Sequence, residues 1–381
     1  MSVACGQRQA QAPTSTPTVE TTPSAIATAP SPSATPRPTA PGPLLFAVLE
    51  AKGTANAYTW NTVAVAGLDG RATAKTTFLP MPVPKMGCIG AVIPQSAHVA
   101  AGKVYFADGR GVVRSLSVTG QVAKVATFAL TSSQQMLSFA VSPDGSRLLG
   151  TVFTIPAKAN YACGGIPDTG YAQDVYSAPA GGRSTLLYHQ SFQSTPTSVL
   201  ALTGWDAVGP TGTYPTVWAS QGGGPGSDLG IAVRIDANTG KVVRQVADPN
   251  VCRVWEVAPT GDFVCMPDGG SKVSVRRPDG SEIWQFTVTT ADGLVYGPQL
   301  APDEAHVAVG INTATDVVGR TGSQSRIGFY PSGGWLDSGT LIGGMIDPLN
   351  SNPNLAYARL SAPGTVVSLG FPGLFVGTFH T

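Results

Sequence analysis

The chain has 381 residues, a formal net charge of +1 and only 12% charged residues, about half the share usual in soluble domains. This balance argues against a nucleic-acid partner, which calls for a clustered basic face, and no apolar run approaches the roughly 20 residues of a spanning helix. With 46 glycines and 32 prolines, and no stretch that joins helical periodicity to caps, the composition favours strands and turns.

The chain opens "MSVACGQ". Ser2-Val3-Ala4-Cys5-Gly6 resembles the end of a bacterial lipobox, with Ser2 where Leu is usual. Over residues 1–6 that resemblance implies a lipid anchor on Cys5, and so a membrane contact outside the cytoplasm. Residues 7–43 follow, rich in Pro, Thr, Ser and Ala and almost free of large apolar side chains. Such a segment buries too little surface to offset its ordering entropy, and a disordered tether of polyproline character is expected. At about 3.1 Å per residue it reaches on the order of 100 Å.

From residue 44 to 381 the pattern changes to short apolar strands and turns. In "FAVSPDGSRLLG" (139–150) two strands meet at Pro-Asp-Gly. Proline presets the first turn position, aspartate bonds its own backbone two residues on, and glycine supplies positive φ. "WEVAPTGDFVCM" (255–266) and "PQLAPDEAHVAV" (298–309) repeat the arrangement, more loosely joined by 91–102 and 360–370. A second set of turns interleaves, in 63–78, 113–128, 176–190, "VRIDANTGKVVRQV" (233–246), 273–288 and 327–342. Its glycines, Gly70, Gly120, Gly182, Gly240, Gly280 and Gly334, stand 40 to 62 residues apart. Two hairpins in each such interval make four strands, the unit of a propeller blade.

"SPDGSRL" and "APDEAHV" resemble the repeat of Tol-system and related WD-like propellers. "RIDANTGKVV" is similar to the YVTN-type and quinoprotein-type repeats. The resemblance implies an all-β propeller of four-stranded antiparallel blades over most of 44–381, six or seven in number, with seven preferred. Five units fit 86–344, and the strands at the two ends make short blades or combine in one. The fold by itself implies no particular activity.

If both sets of tight turns lie on one face of the disc, the remaining connections lie on the other. These are the long ones: 80–87, 155–173, 219–230, 312–325 and 347–354. Long loops on a compact scaffold are commonly functional. Apart from Cys5 there are four cysteines, and the scheme makes one pairing local: Cys88 with Cys163 and Cys252 with Cys265, both at the long-loop face. Disulfides suit an oxidising compartment.

No reaction is legible. His98, His189, His306 and His380 show no metal-ligand spacing, there is no G-x-S-x-G elbow, and "QGGGPGSD" lacks the lysine of a phosphate loop. No cofactor and no metal are expected. Asp69, Asp144, Asp279 and Asp303 sit in turns and read as turn-formers, and Trp218, Trp255 and Trp284 as core. The candidate ligand-binding residues are the polar and aromatic ones of the long loops: Lys158, Tyr161, Asp168, Tyr171, Asp174, Asp316, Arg320 and Arg326. Tyr and Arg are the types enriched in recognition hot spots. The expectation is a monomeric, envelope-anchored, extracytoplasmic scaffold that binds a protein or glycan through its loop face. A secreted propeller enzyme, a quinoprotein-type dehydrogenase or a lyase, is the alternative.

Overall fold

The computed structural model describes residues 44–379 apart from 53–58, 82–96, 157–169, 193–198, 206–215, 223–230, 248–250, 259, 268–269, 289–294, 312–313, 330–332 and 345–353. The lipobox-like start and the tether lie outside the described residues, as do Cys88, Cys163, Lys158, Tyr161 and Asp168.

The described strands, β1 to β28 in chain order, form seven four-stranded antiparallel sheets. Blades 1 to 6 take consecutive strands: β4–β7 (97–127), β8–β11 (135–192), β12–β15 (199–245), β16–β19 (253–287), β20–β23 (295–327) and β24–β27 (334–372). Blade 7 combines both ends of the domain. Its inner strand is β28 (Leu374–Thr378), followed outward by β1 (Leu45–Lys52), β2 (Thr59–Gly67) and β3 (Ala72–Thr77). Pairing of β1 with β28 closes the ring, so a mixed closing blade replaces two short ones.

The turn chemistry appears as expected. Gly145 N–H donates to Ser142 O at 2.8 Å, and Ser146 N–H donates to Asp144 Oδ1 at 3.0 Å. Gly145 has φ +71°, and a Cβ there would stand 2.5 Å from the Tyr105 hydroxyl, so both backbone shape and space require glycine. Asp69, Asp279 and Asp303 each accept from the backbone N–H two residues on, the role expected of turn aspartates.

The two sequence motifs also hold each other. Arg147, which follows the Pro-Asp-Gly turn of blade 2, donates to Ser177 Oγ (3.0 Å), Asn238 Oδ1 (2.8 Å) and the Ala237 carbonyl (2.5 Å). Asn238 and Ala237 belong to the "DANTG" turn of blade 3, whose Gly240 sits against Val175 and Leu187 of blade 2. The turns therefore serve as joints between blades as well as reversals within them.

Buried or half-buried polar groups continue these joints inward. Ser138 of β8 (Gln135–Val141) donates to Leu202 O and accepts from Leu202 N–H at 2.8 Å. Gln173 accepts from Leu200 N–H and donates to its carbonyl. Gln299 donates to the Gly333 carbonyl at 2.9 Å, and the Trp335 indole donates to the Gln299 carbonyl at 3.2 Å. Between these bonds, Val, Leu, Ile and Phe from facing sheets form the core, with Phe46, Phe106, Phe139, Phe153 and Phe263 fully enclosed. Trp255 and Trp284 are partly buried against the cluster between blades 4 and 5, whereas the Trp218 side chain lies outside the described residues.

Two expectations are corrected. Residues 312–325 do not form a long loop: 314–319 are β22 and 324–327 are β23. The segment is polar because the turn 320–323 and the outermost strand β23 are exposed, whereas β22, between β21 and β23, has no exposed residue. Its inward positions are Thr315, whose hydroxyl donates to the Phe329 carbonyl at 2.6 Å, and Val317. "PSGG" (331–334) is likewise no hairpin, since β23 ends at Ile327 and β24 begins at Gly334. It is the crossing between blades 5 and 6, and Gly334 leaves room for the Phe375 ring, which a Cβ would meet at 2.9 Å.

Candidate functional site

In each complete blade the connections from first to second strand and from third to fourth leave one face of the disc. The second-to-third and blade-to-blade connections leave the other. The described strand ends that flank 82–96, 157–169, 223–230 and 345–353 lie at that second face. The first carries the short turns, and β12 ends at Trp205 and β13 begins at Thr216 on that same face.

Cys252, just before β16, and Cys265, in β17 (Phe263–Met266), are joined by a disulfide with Cα atoms 5.2 Å apart. The bond lies at the end of the hairpin that meets the long-connection face, and both residues are buried.

The described candidate residues do not converge. Tyr171 begins β10 (Tyr171–Pro179) with its ring buried and stacked on Phe153 at 6.1 Å, a core role. Asp316 of β22 faces Arg326 of β23 as a cross-strand ion pair at 3.6 Å, too long for a hydrogen bond. Arg320 lies in the turn between those strands, on the tight-turn face, where its N–H donates to the Ala305 carbonyl. Polar composition concealed the strands that hold Asp316 and Arg326, because the turn between them and the outermost β23 are exposed.

Asp174, three residues beyond Tyr171 in β10 of blade 2, stands opposite His189 of β11 (Thr185–Phe192). Asp174 Oδ1 lies 2.6 Å from His189 Nδ1, and His189 Nε2 lies 2.9 Å from Ser191 Oγ. The Tyr176 hydroxyl donates to the other carboxylate oxygen at 3.4 Å. Burial, then the Asp174 charge, pushes the Tyr176 phenol upward. His189 and Ser191 share one face because they are two apart on a strand. The His-x-Ser spacing was a legible signal. Asp174 joins them only through the register between strands.

A second feature lies on the propeller axis. The inner strands of all seven blades line a cavity of about 900 Å³. Its wall includes Val99, Val141, Val254, Leu300, Phe375 and three indoles, Trp205, Trp255 and Trp335, together with two ionisable side chains, His98 and Glu256. Glu256 of β16 (Arg253–Val257) accepts a hydrogen bond at 2.7 Å from Leu300 N–H of blade 5. Burial among apolar neighbours pushes its carboxyl up to about 7, against the opposing effect of that N–H. His98 of β4 (Ala97–Ala100) sits edge-on to Phe139, with ring centroids 5.0 Å apart. Burial lowers its pKa to about 4, opposed by a hydrogen bond to the Phe139 backbone, and its Nε2 is enclosed without a protein partner. Neither residue carries a sequence signal: His98 is a lone polar residue in the apolar β4, and Glu256 shares the short β16 with Arg253 without a recognisable motif.

No protein-family model matches the chain, and no curated protein matches it. Solved structures do. An oligogalacturonate lyase in complex with manganese is 9% identical, covering 86% of this chain and 91% of that one at a TM-score of 0.50. A putative TolB from Agrobacterium tumefaciens is 13% identical over 86% of this chain and 91% of that one, at a TM-score of 0.39. TolB from Acinetobacter baumannii is 13% identical over 88% of this chain and 67% of that one, at 0.43. At such identities the likeness is one of fold, and the chain is a β-propeller.

Proposed function

We propose that this propeller is an extracytoplasmic binding scaffold, held to the envelope by a lipid on Cys5 and a 37-residue tether (7–43), that recognises a protein or glycan with its long-connection face. The observation that carries the reading is that the described strands flanking 82–96, 157–169, 223–230 and 345–353 end at one face. The Cys252–Cys265 bond at that end supports it, because a disulfide suits an oxidising compartment. Lys158, Tyr161 and Asp168 within 157–169 are the contact residues this reading favours, and Cys88–Cys163 the second disulfide.

The test is affinity capture from solubilised cell envelope with the full chain, beside a variant whose residues 157–169 are replaced by a Gly-Ser loop. A protein or glycan retained by the first and lost by the second supports the reading. Equal retention by both removes the loop face from it. A second reading, a secreted enzyme of the quinoprotein-dehydrogenase or lyase type, draws on the axial cavity, where a carboxyl titrating at about 7 stands beside aromatic walls. Retention of a small cofactor or oligosaccharide, lost on Glu256→Gln, distinguishes it.

A further inference from the structure

We propose that Asp174, His189 and Ser191 form a Ser-His-Asp nucleophilic centre on the outer edge of blade 2, which adds an acyl-transfer activity towards accessible esters. The relay is complete in the order such chemistry needs. An ionised Asp174 only accepts hydrogen bonds, so at 2.6 Å it places the imidazole proton on Nδ1. The lone pair is then on Nε2, where Ser191 Oγ–H donates at 2.9 Å. The base thus meets the nucleophile within transfer distance, and a third group orients the base. Tyr176 steadies the carboxylate from its far side. Ser191 is exposed, so a substrate reaches it without rearrangement of the fold. β11 is the outermost strand of its sheet and has one neighbour. Alternate backbone N–H groups along it therefore face outward without a strand partner, as donors for an oxyanion.

In the first step Ser191 Oγ attacks the ester carbonyl carbon while its proton passes to His189 Nε2, and the carbonyl π pair moves to oxygen. As that pair returns, the carbon–alkoxy bond breaks, and the alcohol leaves with the proton from His189. Water then attacks acyl-Ser191 by the same route, releasing the acid and restoring the serine. Ester and water become acid and alcohol, and no other reactant is needed. The centre is remote from the axial cavity and independent of the loop-face reading.

The experiment treats the folded full chain with a fluorophosphonate probe and maps the labelled peptide, with the urea-unfolded chain as reference. The expected result is labelling at Ser191, slowed about 100-fold by His189→Gln, the lower range for loss of a general base. Asp174→Asn slows it as well, and Ser191→Ala abolishes it. Hydrolysis of p-nitrophenyl acetate follows the same order. Labelling of native Ser191 no faster than in the unfolded chain overturns the proposal, as does an equal rate in His189→Gln. The native-against-unfolded comparison decides the matter even where a variant fails to fold.

Discussion

Replacing Glu256 with glutamine keeps the acceptor for Leu300 N–H but removes the titration, and it isolates an opposition between two groups of the axial wall. His98 has a folded pKa of about 4 against an ordinary 6.5. Between those values the fold binds fewer protons than the unfolded chain, so its contribution to stability is lost as pH falls from 6.5 to 4. Glu256 has a folded pKa of about 7 against 4.5, so the fold binds more protons there, and its contribution is lost as pH rises from 4.5 to 7. Each slope is about 1.4 kcal/mol per pH unit, which over either span amounts to about 3 kcal/mol. From pH 4.5 to 6.5 the two slopes have opposite signs and nearly cancel.

The wild type is therefore expected to show little dependence from this pair in that window. Glu256→Gln uncovers the histidine and rises in stability with pH, to end about 3 kcal/mol above wild type by pH 8. His98→Asn uncovers the carboxyl and falls as pH rises. Asp262, raised to about 6 by burial and then by Glu304, and the depressed Asp144, Asp236 and Asp279 contribute alike to all three proteins. They drop out of the differences. Urea unfolding at pH 4.5, 5.5, 6.5 and 7.5 measures the free energies. If the Glu256→Gln and wild-type profiles run parallel across that range, the carboxyl is not titrating inside the fold and the reasoning fails.

Three further outcomes are expected. Arg147→Ala removes the donors that join blade 2 to the blade 3 turn and leaves the Ala237 carbonyl without that charged partner, at about 2 kcal/mol by urea unfolding. Gly145→Ala, strained by its φ of +71° and crowded by the Tyr105 hydroxyl, costs at least about 1 kcal/mol, whereas Gly120→Ala, with open space around its Cβ, bears only the backbone strain and costs less. The Cys252→Ala, Cys265→Ala double variant, which opens a loop with a sequence separation of 13, loses about 3 kcal/mol relative to the oxidised wild type; equal melting of the two proteins refutes a structural role.

The turns were legible because their causes are local. Pro-Asp-Gly and Asp-x-x-x-Gly reverse the chain through their own dihedrals and side-chain-to-backbone bonds, so residues 142–146 and 236–240 announce hairpins whatever packs on them. Repetition of such turns was enough for four-stranded blades, for a propeller and for the local pairing of Cys252 with Cys265. The sequence misread segments whose composition reflects exposure more than conformation. The β22–β23 segment looks like a loop because its turn 320–323 and β23 are exposed and polar, and "PSGG" looks like a turn although its glycine makes room for Phe375 from the other end of the domain.

By itself, then, the sequence determined what depends on neighbours along the chain: where it reverses, how often, and which segment is too polar to fold. Tertiary structure alone decided what depends on register and ring closure. A strand's alternation puts His189 and Ser191 on one face, but only pairing with β10 brings Asp174 to the imidazole. Likewise, the Glu256 carboxyl is pushed up to about 7 only by the burial that packing against its neighbours, Leu300 of blade 5 among them, brings about. The physical reason is that hydrogen bonding within a turn is complete over a few residues, whereas desolvation and cross-strand geometry are set by groups brought together from distant parts of the chain.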